Sequence, residues 1–373
     1  MKLLLVFFFI LFFSCSPAIN KKESLSVLNP MDCSSEIMEF SDIIDTVKYI
    51  QLDDSITLAG LGNVYVTENF ILGTSRDGIL MYDLTGHFLR RIGRIGDGPE
   101  DYLRYYKMTV DKQNEVVYVF LEPDILLSYS FTGDFLNRIH VQLPEDVREY
   151  SPSSIRVQND LLFFYYSENQ GAVCRKPVYW AAIKKDGRLA KCRSGYHDKL
   201  KKDEGVIYFT YCTNLDDSTM IYWNLYNDTI FHVGPSQEEA AYLWGKGKFR
   251  LLETDSLGNL SADRILCSSI IETKAFMFLS WNYMTRKAST FYILYDKRKG
   301  ISYRLKNNMI YDKRATMSLR YNVFNYLRVG EHDYILTQAK SAEVADIPDA
   351  TPWGIDPDDL EGNPVLVLIR LKE

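Results

Sequence analysis

The densest gathering of groups able to do chemistry lies between residues 90 and 104, where Arg90, Arg91, Arg94 and Arg104 surround Asp97, Glu100 and Asp101, with Tyr102 beside them. Carboxylates and guanidinium groups so close can contact a polar ligand. They can equally satisfy one another and pin a turn, through Tyr102 packing and carboxylate bonds to backbone N–H groups. Opposed charges at this spacing satisfy one another first, so the pinned turn leads and ligand contact follows. The ligand-contact candidates are Arg94, Asp97, Glu100, Asp101, Tyr102 and Arg104. Trp244 and Trp353 join them, because both stand in loop-like surroundings where a flat ring can stack on a sugar or anchor a protein. Trp180, Trp223 and Trp281 sit within strand patterns and are expected in the core.

Other reactive residues form no recognisable centre. His87, His140, His197, His232 and His332 lack ligand spacing and are expected on the surface or in turns. With Cys15 assigned to lipid below, Cys33, Cys174, Cys192, Cys212 and Cys267 remain, and no two stand at C-x-x-C spacing, so no structural zinc is expected. Free thiols are the first reading, and one disulfide among Cys174, Cys192 and Cys212 is the alternative. The carboxylates of 356–361 lack the glycine and the ligand order of a calcium loop and read as a solvated turn. There is no G-x-S-x-G, no H-E-x-x-H, no G-x-x-x-x-G-K and no dinucleotide fingerprint. No cofactor, no metal and no catalytic residue is assigned. A net charge of -6, with the basic run 199–202 flanked by Asp198, Asp203 and Glu204, gives no footprint for nucleic acid.

The elements that must position the 90–104 stretch are announced by a repeat. Residues 79–92 (ILMYDLTGHFLRRI) are echoed by 125–139 (ILLSYSFTGDFLNRI), and the turn glycines Gly86 and Gly133 lie 47 residues apart, the length of a propeller blade. Each copy reads as two strands joined at Thr-Gly, which tolerates positive φ. Gly93, Gly96, Gly98 and Pro99 then break the strand pattern and mark a connection between blades. Aromatic content of 14%, including 26 Tyr and 20 Phe, favours strands. Strand-like runs recur at 64–67, 70–74, 105–110, 116–120, 161–166, 178–183, 206–211, 220–223, 229–233, 275–281, 291–295, 301–305 and 334–337. Residues 238–244 read as a single helical turn, and 339–363 as a long Asp- and Pro-rich loop. A first strand at 42–52 would leave an open edge, and the nearly continuous apolar run 364–371 is the candidate to pair with it. The expected fold is an all-β, six-bladed β-propeller, closed by pairing of the N- and C-terminal strands.

The stretch from Asp83 to Tyr102 resembles the bacterial six-bladed β-propeller lipoprotein family, NHL-like propellers of largely unknown function. Members carry a phrase close to D-x-x-G-x-F-x-x-x-I-G-x-x-G-x-G-P-G-E-Y, matched here by Asp83, Gly86, Phe88, Ile92, Gly93, Gly96, Gly98, Pro99 and Tyr102. Glu100 stands where the family has Gly and Asp101 where it has Glu. The shorter Asp101 can still hydrogen-bond the turn.

Lys2, the apolar run 3–13 and Ser14-Cys15 have the layout of a secretory signal ending in a lipoprotein box. At about 1.5 Å per residue the apolar run spans roughly half of a ~30 Å hydrocarbon core. The domain expectation is a signal peptide over 1–15 with lipidation at Cys15, a flexible tether over 16–41 and the propeller over 42–373. The expected location is the envelope, held to the outer membrane by acylated Cys15 in the lipid bilayer, with the periplasmic side preferred. The expected function is non-catalytic binding or scaffolding of a glycan, a peptide or an envelope protein. The competing class is a lyase or hydrolase with a site in the central channel, with or without a metal.

Overall fold

The computed structural model describes residues 25–38, 42–104, 106–147, 151–166, 178–194, 210–214, 218–252, 255, 261–285, 290–305, 309–312, 319–322, 326–344 and 361–373. Six of its sheets, each built on four antiparallel strands, are the blades of a closed β-propeller, and a seventh, two-stranded sheet pairs Met309–Asp312 with Leu319–Asn322. Blade 1 runs from Gly62–Val66 through Phe70–Ser75 and Gly78–Asp83 to Phe88–Ile92. Blade 2 comprises Lys107–Asp111, Val116–Leu121, Ile125–Ser130 and Phe135–His140, and blade 3 Ser154–Gln158, Leu161–Tyr165, Val178–Lys184 and Leu189–Ser194. Blade 4 contains Thr210–Asn214, Met220–Asn224, Thr229–Val233 and Glu238–Trp244, and blade 5 Ile265–Glu272, Phe276–Tyr283, Phe291–Asp296 and Ile301–Leu305. The first strand of each blade faces the axis, and the fourth forms the rim. The single described α-helix is Ser341–Val344.

Blade 6 closes the ring as the sequence leads one to expect. Tyr326–Val329, His332–Ala339 and Val365–Leu371 come from the C-terminal end, and the rim strand Ile44–Gln51 from the N-terminal end, paired antiparallel from Gln51↔Val365 to Ile44↔Leu371. Asn363 ties this joint to the chain leading into blade 1: its amide accepts from Leu58 N at 2.7 Å and donates to Asp53 O at 2.7 Å and Ile56 O at 2.6 Å. The side chain of Gln338 likewise holds both backbone groups of Leu61. Apolar clusters fill the seams between neighbouring blades, including the closing seam, where Ile50, Leu366 and Leu336 of blade 6 meet Ile71, Leu80 and Tyr82 of blade 1. A fully buried side chain of this size contributes about 1.5–3 kcal/mol, so the seams outweigh the exposed ion pairs at the rim.

Two expectations are corrected. Residues 26–38 fall in the segment read as a tether, yet Ser26–Leu28 pairs in parallel with Glu238–Trp244, and Ser34–Met38 with Ile301–Leu305. The N-terminal segment is thus a belt over the rims of blades 4 and 5 before it becomes the rim of blade 6. Its pattern is too short for periodicity to register. Residues 238–244 form a strand rather than a helical turn, because an open ladder on each side outweighs the helix propensity of Glu-Glu-Ala-Ala. Of the expected strand 206–211, residues 206–209 lie outside the described residues, and the strand there is Thr210–Asn214.

The repeated glycine has a specific role at the seams. Gly86 and Gly133 have φ of +96° and +94°. A Cβ on Gly133 would stand 2.9 Å from the carbonyl oxygen of Arg91, the rim strand of the preceding blade, and one on Gly86 would collide with the carbonyl of Gln51. Gly300 shares the positive φ (+69°) but has only the Tyr295 hydroxyl within 4.0 Å. Ala at Gly300 is expected to cost about 1–2 kcal/mol from backbone strain alone. Gly86→Ala should cost at least twice that in urea denaturation, and equal losses would contradict backbone packing at the seam.

Candidate functional site

The 93–104 connection is a pinned turn between blades 1 and 2. Asp101, only 8% exposed, accepts from Arg94 Nε at 2.6 Å and from Gly98 N at 3.1 Å. The Arg94 hydrogen bond holds its carboxyl below the usual carboxylate range, against partial burial. Tyr102 is fully buried, its hydroxyl donating to Ile92 O at 3.1 Å and accepting from Ile79 N at 3.0 Å, and burial pushes its pKa up to about 12. Tyr129 of blade 2 donates to Glu100 O at 2.6 Å, and Arg138 to Pro99 O at 3.0 Å. The side chains of Asp97, Glu100 and Arg104 remain exposed on this face. Asp101 therefore fastens the turn as the shorter carboxylate was expected to do.

Trp244 is not in a loop. It ends the fourth strand of blade 4, 1% exposed and edge-on to Trp223 at 6.4 Å, so it is core and cannot stack on a ligand. The belt strand that pairs with it supplies the missing cover. Trp180, Trp223 and Trp281 are core as expected. Trp353 and residues 356–360 lie outside the described residues, as do Cys15, Cys174 and His197. His87, His140 and His332 are exposed beside Asp83, Asp124 and Glu373.

The turns between first and second strands meet at one mouth of the channel, on the face opposite the 93–104 connection. Those of blades 6, 1, 2 and 3 enclose a cavity of about 440 Å³. Val66, Val110, Val157 and Val329 come from corresponding ends of the four first strands and form an apolar floor with Phe131; Glu68, Asn69, Lys112, Gln113, Glu115, Asn159 and Arg328 form a polar rim. One residue deeper the channel is bridged: Arg156 of blade 3 donates to the Tyr65 hydroxyl of blade 1 at 2.9 Å, and Tyr65 donates to Met108 O of blade 2 at 3.0 Å.

The cations of the rim are held in place. Lys112 reaches from blade 2 to Arg328 O of blade 6 at 3.1 Å, and Arg328 Nε contacts Asp333 at 2.9 Å. Beneath them Lys185 pairs with buried Asp111 at 2.7 Å; burial disfavours its ammonium, but Asp111 prevails and raises its pKa. Glu115 and Asn159 adopt φ of +52° and +50°, a conformation uncommon for Glu. Sequence reading missed this mouth. Its trace is the recurrence of Val followed by two polar residues at 66–68, 110–112 and 157–159, and by Gly-Glu at 329–331.

A second polar cluster lies in the seam between blades 4 and 5. Fully buried Glu272 accepts from Tyr242 at 2.8 Å and Lys297 at 2.6 Å on one oxygen, and meets His232 Nε2 at 2.7 Å on the other. Burial acts to raise its pKa, but His232 and Lys297 together hold it below the ordinary value. His232 was expected in a surface or turn role. The four residues come from separate strands and turns, so no local pattern announces them.

A family model described as a domain of unknown function (DUF4934) matches residues 23–370. No curated protein matches the chain. Among solved structures, a protein of Bacteroides fragilis described as exported is similar at 15% identity, with a TM-score of 0.64, over 94% of this chain and 100% of that one. A member of the DUF4221 family from Bacteroides vulgatus is similar at 11% identity and a TM-score of 0.52, over 88% of this chain and 97% of that one. These likenesses concern the fold.

The Glu272 cluster yields a pH dependence. A carboxyl lowered on folding adds stability that is complete above its unfolded value, about 4.5, and is lost as pH falls through the lower folded value. At pH 7 Glu272→Gln is expected to destabilise by about 3 kcal/mol. Denaturant midpoints of the parent and the variant should converge as pH falls below 4.5; a gap independent of pH would rule out an ionised Glu272.

Proposed function

The chain belongs to the DUF4934 family, and from that premise we propose that it is a non-catalytic binding module of the cell envelope whose channel mouth receives a glycan. One observation carries the reading: turns from four blades converge on a cavity with an apolar floor and a polar rim. Its size lies within the range of small-ligand sites. A pyranose presents an apolar C–H face and hydroxyl edges. The valines and Phe131 suit the first; Glu68, Glu115, Asn69, Gln113 and Asn159 suit the second. Because Lys112, Arg328 and Asp111 are fixed by protein partners, they can orient a ligand at little ordering cost.

The enzyme reading puts its site in the central channel, whereas the His232–Glu272 pair lies in the seam between blades 4 and 5 with both Glu272 oxygens engaged within its own cluster, which favours a structural role for that pair. For location, the signal-like 1–15 segment ending at Cys15 supports lipid anchorage in the envelope, and the exported description of one structural neighbour supports export alone. The belt begins at Ser26, so a chain anchored at Cys15 would hold blade 4 within about 40 Å of the bilayer.

Thermal-shift and calorimetric titration against a panel of mono- and oligosaccharides tests the mouth. At least one saccharide should raise the melting temperature, and the double variant Glu68→Ala/Glu115→Ala should bind it at least tenfold more weakly without melting earlier when free. Failure of every saccharide, or unchanged binding by the variant, sinks the glycan reading. Incorporation of a labelled lipid precursor should depend on Cys15; equal labelling of Cys15→Ala would refute the anchor.

A further inference from the structure

We propose that the rim of blade 1, strand Phe88–Ile92, is a docking edge for an extended acidic segment of a partner protein, added to the blade as a fifth strand. The chain itself supplies the precedent. On blades 4 and 5 the fourth strand is not the last, because Ser26–Leu28 and Ser34–Met38 add to Glu238–Trp244 and Ile301–Leu305 in parallel. Among the described residues, the rims of blades 1, 2, 3 and 6 carry no such addition. Each presents backbone N–H and C=O groups to one side, the template for strand addition, although the next blade's turn meets the end of the strand at Arg91 O on blade 1 and at His140 O on blade 2.

The four open rims differ in what their side chains already do. On blade 6 Lys48 donates to Leu84 O at 3.3 Å, Gln51 donates to Asn363 O at 2.7 Å, and Asp45 accepts from Arg370. On blade 2 the Arg138 N–H is taken by Asn137 Oδ1 at 2.8 Å, and the Arg138 guanidinium by Pro99 O. On blade 3 Lys191 lies over Trp180, 5.4 Å from the ring centre, and donates to Gly234 O at 2.8 Å, while Arg193 pairs with Glu238 at 3.5 Å. Blade 1 is different. Leu89 is 38% exposed, Arg90 makes only a 3.4 Å bond to Thr132 O, and Arg91 has no hydrogen-bond or ion-pair partner among the described residues. Arg90 and Arg91 are consecutive in a strand, so they flank the edge on opposite faces. A strand laid along it meets a guanidinium on either side and an apolar contact at Leu89. Carboxylates on both faces of the incoming segment complete that pattern. Basic residues also deter indiscriminate edge pairing, and a segment bearing carboxylates is the one kind they admit.

A fluorescent seven-residue peptide, Val-Glu-Glu-Val-Glu-Glu-Val, whose adjacent Glu pairs put carboxylates on both faces of a strand, is titrated into the full chain in detergent to test the edge. Binding is expected, with slowed amide hydrogen exchange confined to residues 88–92. It should fall at least tenfold in Arg90→Glu/Arg91→Glu, whose exposed side chains leave the fold intact by circular dichroism. The same peptide with Lys in place of every Glu should not bind. The proposal is overturned if the acidic peptide does not bind, if the charge-reversed variant binds it equally, or if it binds without slowing exchange at 88–92, which would be charge attraction without strand pairing.

Discussion

The ladder between Ile44–Gln51 and Val365–Leu371 is the constraint on which the remaining structure depends. A propeller is a ring of blades held by apolar seams, and a ring with one joint open exposes two blade faces at once. Joining strands more than 300 residues apart carries a loop-closure cost of about 5 kcal/mol. The ladder does not meet that cost alone. The Asn363 hub, the Gln338 clasp and the seam around Ile50, Leu366 and Tyr82 all lie at the same joint, and burial of a few such side chains outweighs the entropy. The belt extends the same logic, covering two rims that would otherwise present bare ladder edges.

The channel mouth is a product of that closure. Arg328, Val329 and Gly330 come from blade 6, Val66 to Asn69 from blade 1, and they become neighbours only when the last blade meets the first. Lys112 then reaches across to Arg328 O, and Arg156 crosses to Tyr65. These links hold the first strands in fixed relation, so the proposed site stands on rigid elements rather than on free loops. The 93–104 connection, by contrast, uses Arg94, Asp101 and Tyr102 for its own fastening and leaves Asp97, Glu100 and Arg104 exposed.

What was legible in the sequence was whatever repeats or alternates locally. Gly86 and Gly133 announced the blade because their turns need positive φ and room against the preceding blade's backbone, a demand that recurs at Gly187 against His140 O. The terminal pairing was legible because a continuous apolar run such as 364–371 needs cover on both faces. Contacts between distant segments were not. Ser26–Leu28 is too short for a pattern, and the Glu-Glu-Ala-Ala start of Glu238–Trp244 points toward helix until the flanking strands are known. Trp244 was misplaced for the same reason, since the belt that pairs with its strand lies over two hundred residues earlier. Glu272 meets His232, Tyr242 and Lys297 only through the packing of blade 4 on blade 5.

The closure is tested most directly by trimming the N-terminus in steps and following cooperative unfolding in urea. Removal of residues 1–24 should leave the midpoint unchanged, removal of 1–41 should lower it by baring the rims of blades 4 and 5, and removal of 1–52 should abolish the cooperative transition. A chain lacking 1–52 that unfolds cooperatively at the parent midpoint would contradict the account at its centre.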